Sequence, residues 1–224
     1  MALRVLATAL VLGLAPAVAS GQAGSPLPGM MPQGALLPAE LGRCCDGYRV
    51  GHWVEYLVSA PGRRQLWHLH LAVVGRDGDA YWIELTMAQP SRGEAIARML
   101  VDPGEGAVGG RLRRLIIQPE GNLPLELPLD MAPATLPAAR PAEGSGTFVG
   151  TETIRVTAGT FSARHYRRGE GAEASDVWIS ERVPLWGLAR FQGPRAQLTL
   201  IAFGTGAASR VVGEPVPFNP HSFR

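Results

Sequence analysis

The fold is decided by two neighbouring stretches: residues 149–168 read VGTETIRVTAGTFSARHYRR, and residues 176–192 read DVWISERVPLWGLARFQ. Apolar and polar residues alternate over Thr151–Val156 and again over Phe161–Tyr166, and Ala158-Gly159 interrupts the pattern between them. Alternation on both sides of a short glycine-containing break is typical of two antiparallel strands joined by a tight turn. These stretches contain no set of residues that would form a catalytic site, so they indicate an architecture and not a reaction.

The same alternation of apolar and polar residues, broken by turn residues, continues along most of the chain. Runs of alternating residues, separated by turn residues such as Asp77-Gly78, predict further strands at Val50–Ser59, Gln65–Val74, Asp79–Ala88, Ile96–Val101, Leu112–Gln118, Ser175–Ser180, Ala196–Phe203 and Arg210–Gly213. The total is roughly ten strands, and no segment has a helical period. The sequence therefore predicts a mainly β protein with few or no helices, built as an antiparallel sandwich or barrel.

Proline-rich passages separate this β region from the ends of the chain. Residues 24–46 are predicted to be a flexible leader, residues 47–215 a single β domain, and residues 216–224 an extended tail. Within the domain, Asn122–Pro141 carries too much proline for a central strand, so it is predicted to be a long loop across one face or rim of the sheet.

Met1–Ala23 has the features of an export signal. Arg4 provides a basic start, Val5–Leu14 is apolar, and Ala17-Val18-Ala19 offers a small-residue cleavage site after Pro16. The apolar run is shorter than the about 20 residues that span a bilayer, although an uncleaved membrane anchor is the alternative. No later segment is apolar enough to cross a membrane, so we expect an exported, periplasmic protein.

Arginine dominates the positive charge of this chain. The sequence holds 21 basic residues, all of them arginine, against 19 acidic residues, for a formal charge of +2. This balance predicts no nucleic-acid partner. The clustered arginines could meet an acidic partner or anionic lipid headgroups, but solvated strand ends are the simpler interpretation; they are Arg111, Arg113, Arg114, Arg164, Arg167 and Arg168.

The two cysteines are adjacent, at Cys44 and Cys45. Exported proteins usually oxidise their cysteines, but neighbouring residues can only form a strained ring. A vicinal disulfide, a bridge to another chain and two free thiols all remain open. Arg43 before the cysteine and the distance from the apolar run exclude a lipid-attachment site.

The strands carry one strongly apolar face each. Because side chains alternate across a strand, every second residue shares a face, and that face either packs a core or lines an apolar cavity. The candidate ligand-binding residues on this face are Trp67, Leu69, Leu71, Tyr81, Ile83, Leu85, Leu198 and Leu200.

Catalytic and metal chemistry is weakly represented. His68 and His70 share one strand face and could hold zinc with a third ligand such as His52, but no carboxylate or cysteine completes the set. Glu84 and Glu152 are isolated carboxylates in the sequence, whereas acid–base catalysis needs a close partner. We therefore expect no enzyme activity, no metal and no cofactor.

Several motifs together resemble uncharacterised bacterial exported proteins that are similar to the superfamily of outer-membrane lipoprotein carriers and receptors of the LolA/LolB kind. The motifs are GHWVEY from Gly51, AYWIEL from Ala80, VTAGTFSARHYR from Val156, VWISERVPLWGLAR from Val177 and AFGTGAASR from Ala202. The resemblance implies a strongly curved antiparallel sheet, an unclosed barrel whose concave side holds lipid chains. It carries over no individual binding residue.

Two functions follow as hypotheses. The first is an exported, non-enzymatic module that binds a lipid, a lipidated protein or another apolar ligand in the concavity of the sheet. The alternative is a structural or protein-interaction module of the cell envelope with a filled core.

Overall fold

The computed structural model describes residues 48–60, 66–89, 93–102, 111–131 and 146–219. The predicted signal peptide, the leader and both cysteines lie outside these ranges. So do part of the proline-rich passage and the end of the tail.

The described residues form twelve strands and two single turns of 3₁₀ helix, at Leu129–Met131 and Gly171–Glu173. The strands are β1 (Trp53–Ser59), β2 (Leu66–Asp77), β3 (Ala80–Gln89), β4 (Gly93–Asp102), β5 (Arg111–Pro119), β6 (Leu125–Leu127), β7 (Thr147–Val156), β8 (Gly159–Arg168), β9 (Ser175–Ile179), β10 (Leu188–Gln192), β11 (Gln197–Gly204) and β12 (Val216–Pro217).

All twelve strands belong to one sheet, in the order β12-β6-β5-β4-β3-β2-β1-β11-β10-β9-β8-β7. Every pair is antiparallel except the short pair of β12 with β6. The two ends of the order, β12 and β7, do not pair with each other, so the sheet is not closed. The prediction of a mainly β fold with an unclosed antiparallel sheet is confirmed.

The sheet nevertheless bends back on itself near β7. The backbone N–H of Ala158, in the turn between β7 and β8, donates to the carbonyl of Leu200 in β11 at 3.3 Å. Arg190 of β10 donates to the carbonyl of Arg155 in β7 at 2.6 Å. Strands β7 and β11 lie four places apart in the sheet, so these contacts require strong curvature at this end.

Three strand predictions were wrong. Leu125–Leu127 pairs with β5 inside the passage predicted to be a loop, because the flanking prolines leave three residues free to pair beside the edge. No strand was predicted at Leu188–Gln192, where β10 begins directly after Gly187. The last strand is Val216–Pro217 and not Arg210–Gly213, whose polar contacts are made by side chains of the sheet instead of a neighbouring strand.

The first strands follow the alternation that the sequence predicts. In β1, Val54, Tyr56 and Val58 are buried while the residues between them are half-buried. Their partners Leu69 and Leu71 in β2 face the same way. We call this the inner face. Its side chains form one continuous apolar cluster that extends across the sheet from Leu127 on β6 to Ile154 on β7.

The opposite, outer face of β3 is buried as well. Trp82, Glu84 and Thr86 are each at most 8% exposed, although alternation places them away from the inner cluster. The cover is the segment Thr205–Phe218, here called the C-terminal strap, which crosses β1 to β6 before pairing as β12.

The strap is held mainly by polar side chains of the sheet. Glu84 accepts from Ser209 Oγ at 2.5 Å and from the Arg210 N–H at 2.8 Å. The Gln118 amide both donates to and accepts from the backbone of Val212, each at 2.9 Å. A small apolar cluster lies beneath Val211; its buried members are Ala80, Trp82, Leu100 and Ile116.

Candidate ligand-binding cleft

The structure brings the predicted ligand-binding residues together on the inner face. Seven of them, Trp67, Leu69, Leu71, Ile83, Leu85, Leu198 and Leu200, are at most 7% exposed and belong to the inner cluster. The eighth, Tyr81, is half-buried at its margin, where its ring lies 5.4 Å from that of Tyr48. The apolar face is therefore largely packed with the chain's own side chains.

One end of the inner face is covered by the connection between β9 and β10, residues 180–187, here called the plug loop. Its side chains Val183, Leu185 and Trp186 are at most 5% exposed and join the inner cluster. The loop is tied at its base, where the Ser180 N–H donates to the Gly187 carbonyl at 2.8 Å. Leu185 has a φ of +65°, a conformation that costs a residue with a branched side chain of the order of 1–3 kcal/mol.

Two tyrosines connect the plug loop to the rest of the sheet. The Tyr56 hydroxyl, fully buried, donates to the Leu188 carbonyl at 3.0 Å across the inner face. Burial raises the pKa of the Tyr48 hydroxyl, which lies near Trp186 of the loop. The Tyr56 bond therefore fixes the chain at Leu188, directly after the plug loop.

A cleft of about 270 Å³ opens beside the plug loop, at the end of β11. Its lining combines mostly apolar or small residues with four charged or titratable ones. The first group is Val183, Pro184, Leu185, Phe203, Gly204 and Thr205; the second, here called the rim, is Arg49, His52, Glu181 and Arg182. Val183 and Leu185 belong to both the cleft and the inner cluster, so the cleft adjoins the apolar interior. Apart from His52, which was considered as a third zinc ligand, none of these residues was predicted to belong to a site, because they come from three separate segments.

The charges around the cleft are unevenly distributed. Glu181 approaches Arg164 at 3.9 Å, so its carboxylate has a cationic neighbour of its own. The Arg182 guanidinium lies over the Phe161 ring, 5.5 Å from its centroid, and donates to the Thr160 carbonyl at 3.4 Å. The rim is therefore more cationic than anionic.

A second polar cluster joins β7, β8 and β9. His165 approaches Asp176 at 2.7 Å with Nε2 and Glu152 at 3.2 Å with Nδ1, while its ring stacks on Trp178 at 4.6 Å. Trp178 Nε1 also donates to Glu152. Glu152 is thus not the isolated carboxylate that the sequence indicated, because its partners come from two later strands.

The electrostatics of this cluster are those of a well-paired network. Burial alone would raise the pKa of Asp176, but hydrogen bonds from Arg167 and His165 outweigh it and lower that pKa. Arg167 binds Asp176 with two hydrogen bonds, of 2.9 and 3.1 Å. Both ring nitrogens of His165 face carboxylates, Nδ1 Glu152 and Nε2 Asp176.

The histidines considered as zinc ligands do not converge. His68 Nδ1 meets Glu55 at 2.9 Å, while His70 stacks on Trp53 with ring centroids 5.5 Å apart. Burial lowers the pKa of His70 in spite of the nearby Glu55. In the part of the chain that the structure describes, no group of three histidine, cysteine or acidic residues could hold a metal ion.

The arginine clusters are largely ion-paired on the strands. Arg113 meets Asp102 at 2.6 Å, and Arg114 meets Glu126 at 2.7 Å. The hydrogen bond from Arg114 lowers the pKa of Glu126. Such pairing favours solvated strand surfaces over a broad anion-binding patch.

No protein-family model matches the sequence, and no curated protein matches it either. Two solved structures are similar to it. One is a provisionally assigned lipoprotein of Parabacteroides distasonis, with 13% identity and a TM-score of 0.34 over 70% of this chain and 97% of that chain. The other is a hypothetical protein of Chlamydia trachomatis, with 10% identity and a TM-score of 0.44 over 80% of this chain and 98% of that chain.

Among the described residues, no helix has the length and apolar character needed to cross a membrane.

Proposed function

We propose that this chain is an exported, non-enzymatic module that binds an apolar or amphiphilic ligand, such as a lipid, at the cleft beside the plug loop. The observation that carries the proposal is the continuity of the apolar surface: Leu185 and Val183 line the cleft and also belong to the inner cluster. Pockets for small ligands are typically apolar with a few polar groups, as this one is.

The size of the cleft bears on how such a ligand would bind. Its volume of about 270 Å³ is near the lower bound of ordinary ligand pockets, about 300 Å³. A long chain would therefore enter only if the plug loop moved away from the inner face. The positive φ of Leu185 supports this, because relieving it would offset part of the cost of opening the loop.

A carrier of the LolA/LolB kind is the finer form of this proposal. Its support is the set of sequence motifs together with an unclosed antiparallel sheet whose inner face is apolar. The non-enzymatic part is supported by His165, whose two ring nitrogens both face carboxylates. The signal-like start of the sequence supports a periplasmic location.

The direct test is solvent extraction of the purified full-length protein followed by mass spectrometry. A neutral fluorescent probe, N-phenyl-1-naphthylamine, then reports binding in the delipidated protein. We expect Phe203→Ala to weaken probe binding by about tenfold, because it removes apolar contact from the cleft.

Phe148→Ala is the matched control, since Phe148 is 54% exposed and does not line the cleft. We expect this variant to bind the probe like the parent protein. Absence of both an extractable ligand and probe binding would refute the proposal.

A filled-core interaction module of the envelope remains a second candidate, and strand β7 favours it. This strand is a ten-residue sheet edge, and its Phe148 and Val149 are 54% and 55% exposed. Exposed edge strands can pair with an extended partner. A photo-crosslinking residue at position 148 would capture a protein partner in cells under this hypothesis, and a strictly solitary protein would count against it.

A further inference from the structure

The rim of the cleft indicates what kind of head group the ligand carries. We infer that the cleft selects anionic amphiphiles, in which a carboxylate or phosphate is attached to an alkyl chain. This inference rests on the proposed function and adds a chemical class to it. Its basis is the placement of Arg49 and Arg182 on the rim of the same cleft that has Leu185 and Phe203 in its lining.

Arg182 is the better placed of the two cations for this role. Its guanidinium carries five N–H donors in a planar fork that matches carboxylate and phosphate oxygens. Among the described residues, it meets the Thr160 carbonyl through one long hydrogen bond of 3.4 Å and the Phe161 ring through its face. Packing on the Phe161 ring orients the Arg182 guanidinium without neutralising its charge.

The carboxylate beside it does not cancel this cation. Glu181 is directed toward Arg164, at 3.9 Å, and its side chain is 82% exposed. His52, half-buried, adds a further group that can donate a hydrogen bond to an anion. An anionic head on the rim and an alkyl chain against Phe203 and Leu185 would satisfy both halves of the cleft.

The test compares ligands with the same twelve-carbon chain and different heads. Dodecanoate, dodecyl phosphate, dodecanol and dodecyltrimethylammonium are titrated separately, below their micelle concentrations, into the delipidated full-length protein. We expect the two anions to bind about tenfold or more tightly than dodecanol, which is the size of one charge-assisted hydrogen bond. The cation should bind most weakly, and added salt should weaken only the anions.

Variants then locate the effect. We expect Arg182→Gln to remove most of the preference for anions while leaving the affinity for dodecanol unchanged, and Arg182→Lys to retain part of it. Arg195→Gln is the matched control, because Arg195 is an exposed arginine that meets Glu173 at 4.0 Å and lies outside the cleft. Thermal melts of each variant check that the fold is intact.

The outcomes separate the two proposals. Equal affinity for dodecanol and the anions, or an anion preference that survives Arg182→Gln, would overturn the inference while leaving apolar ligand binding in place. Failure of all four amphiphiles to bind would remove the proposed function as well. If dodecanoate and dodecyl phosphate differ, the tighter of them tells whether a fatty acid or a phospholipid head is the natural class.

Discussion

The plug loop and the C-terminal strap each cover one face of the same sheet, but different forces hold them. The plug loop buries Val183, Leu185 and Trp186 against the inner face, so apolar contact is its main attachment. The strap is held on the outer face by Glu84 and Gln118, which bind its backbone directly. The plug loop is therefore part of the hydrophobic core, whereas the strap is attached to the outer face of the sheet by hydrogen bonds.

The forces that hold each segment determine how readily it can move away from the sheet. Hydrophobic contact is not directional, so the plug loop could leave its site and return without a single matching partner. A buried carboxylate is costly to leave without partners, so Glu84 makes opening the strap expensive. We therefore expect ligand-coupled motion at the plug loop and a permanently closed strap.

The largest expected effect comes from truncating the plug loop. Trp186 is 2% exposed, and replacing a buried tryptophan by alanine typically lowers the free energy of unfolding by about 3–5 kcal/mol. Chemical denaturation of Trp186→Ala measures the loss, with the exposed Phe148→Ala as a control that should change little. A loss below about 1 kcal/mol for Trp186→Ala would mean that the loop contributes little to the core.

The strap should respond to loss of its buried carboxylate. Glu84 is 1% exposed, accepts two hydrogen bonds from the strap, and lies 3.7 Å from Arg98 Nε. We expect Glu84→Ala to lower the free energy of unfolding by about 2–3 kcal/mol, because the strap donors and Arg98 lose their partner.

Hydrogen exchange distinguishes a local effect from a global one in this variant. The amide of Arg210, which donates to Glu84, should exchange much faster, while inner-face amides such as that of Val54 follow the global stability. Glu84→Gln retains an acceptor and should be milder. Unchanged protection of Arg210 in Glu84→Ala would contradict this account of the strap.

These two covers also show how far the sequence could predict the structure. Alternation predicted the inner face well, and it correctly separated Tyr81, Ile83 and Leu85 from Trp82 and Glu84. It could not predict the strap, because Glu84 and its partner Ser209 are 125 residues apart and no local pattern links them.

The candidate site was predictable only in part, for a similar reason. The apolar residues of the inner face follow from periodicity, which is a local property. The cleft depends on Arg49, Arg182 and Phe203, which come from separate segments that meet only when the sheet bends. The cluster around His165 is equally non-local, since Glu152 and Asp176 lie on the strands either side of it.

A smaller effect is expected at the far end of the strap. The Gln118 side-chain amide pairs with the backbone of Val212 as a neighbouring strand would. Its Nε2 donates to the Val212 carbonyl and its Oε1 accepts from the Val212 N–H, each at 2.9 Å. Gln118→Ala should cost about 1 kcal/mol, because the site is exposed and water can substitute. In this variant, hydrogen exchange of the Val212 amide should accelerate more than that of the Arg210 amide, which keeps its hydrogen bond to Glu84. Equal acceleration at both amides would instead mean that the strap opens as one unit.

The smallest effect concerns pH, and it arises beneath the strap. Burial lowers the pKa of His70 below its ordinary value of 6.5, although Glu55, Glu84 and Glu94 favour the charged form and Arg210 opposes it. The unfolded chain therefore binds a proton more readily than the folded chain as the pH falls below about 6.5.

The stability that His70 contributes is fully present above that pH and is lost as the pH falls toward the lower, folded-state pKa. Denaturation midpoints measured between pH 8 and about pH 5 should decline less in His70→Gln than in the parent protein, since Glu126 and Asp176 have lowered pKa values and titrate below this window. An identical decline in both proteins would show that His70 is not the group responsible, and that the outer face beneath the strap admits a charged imidazole without cost.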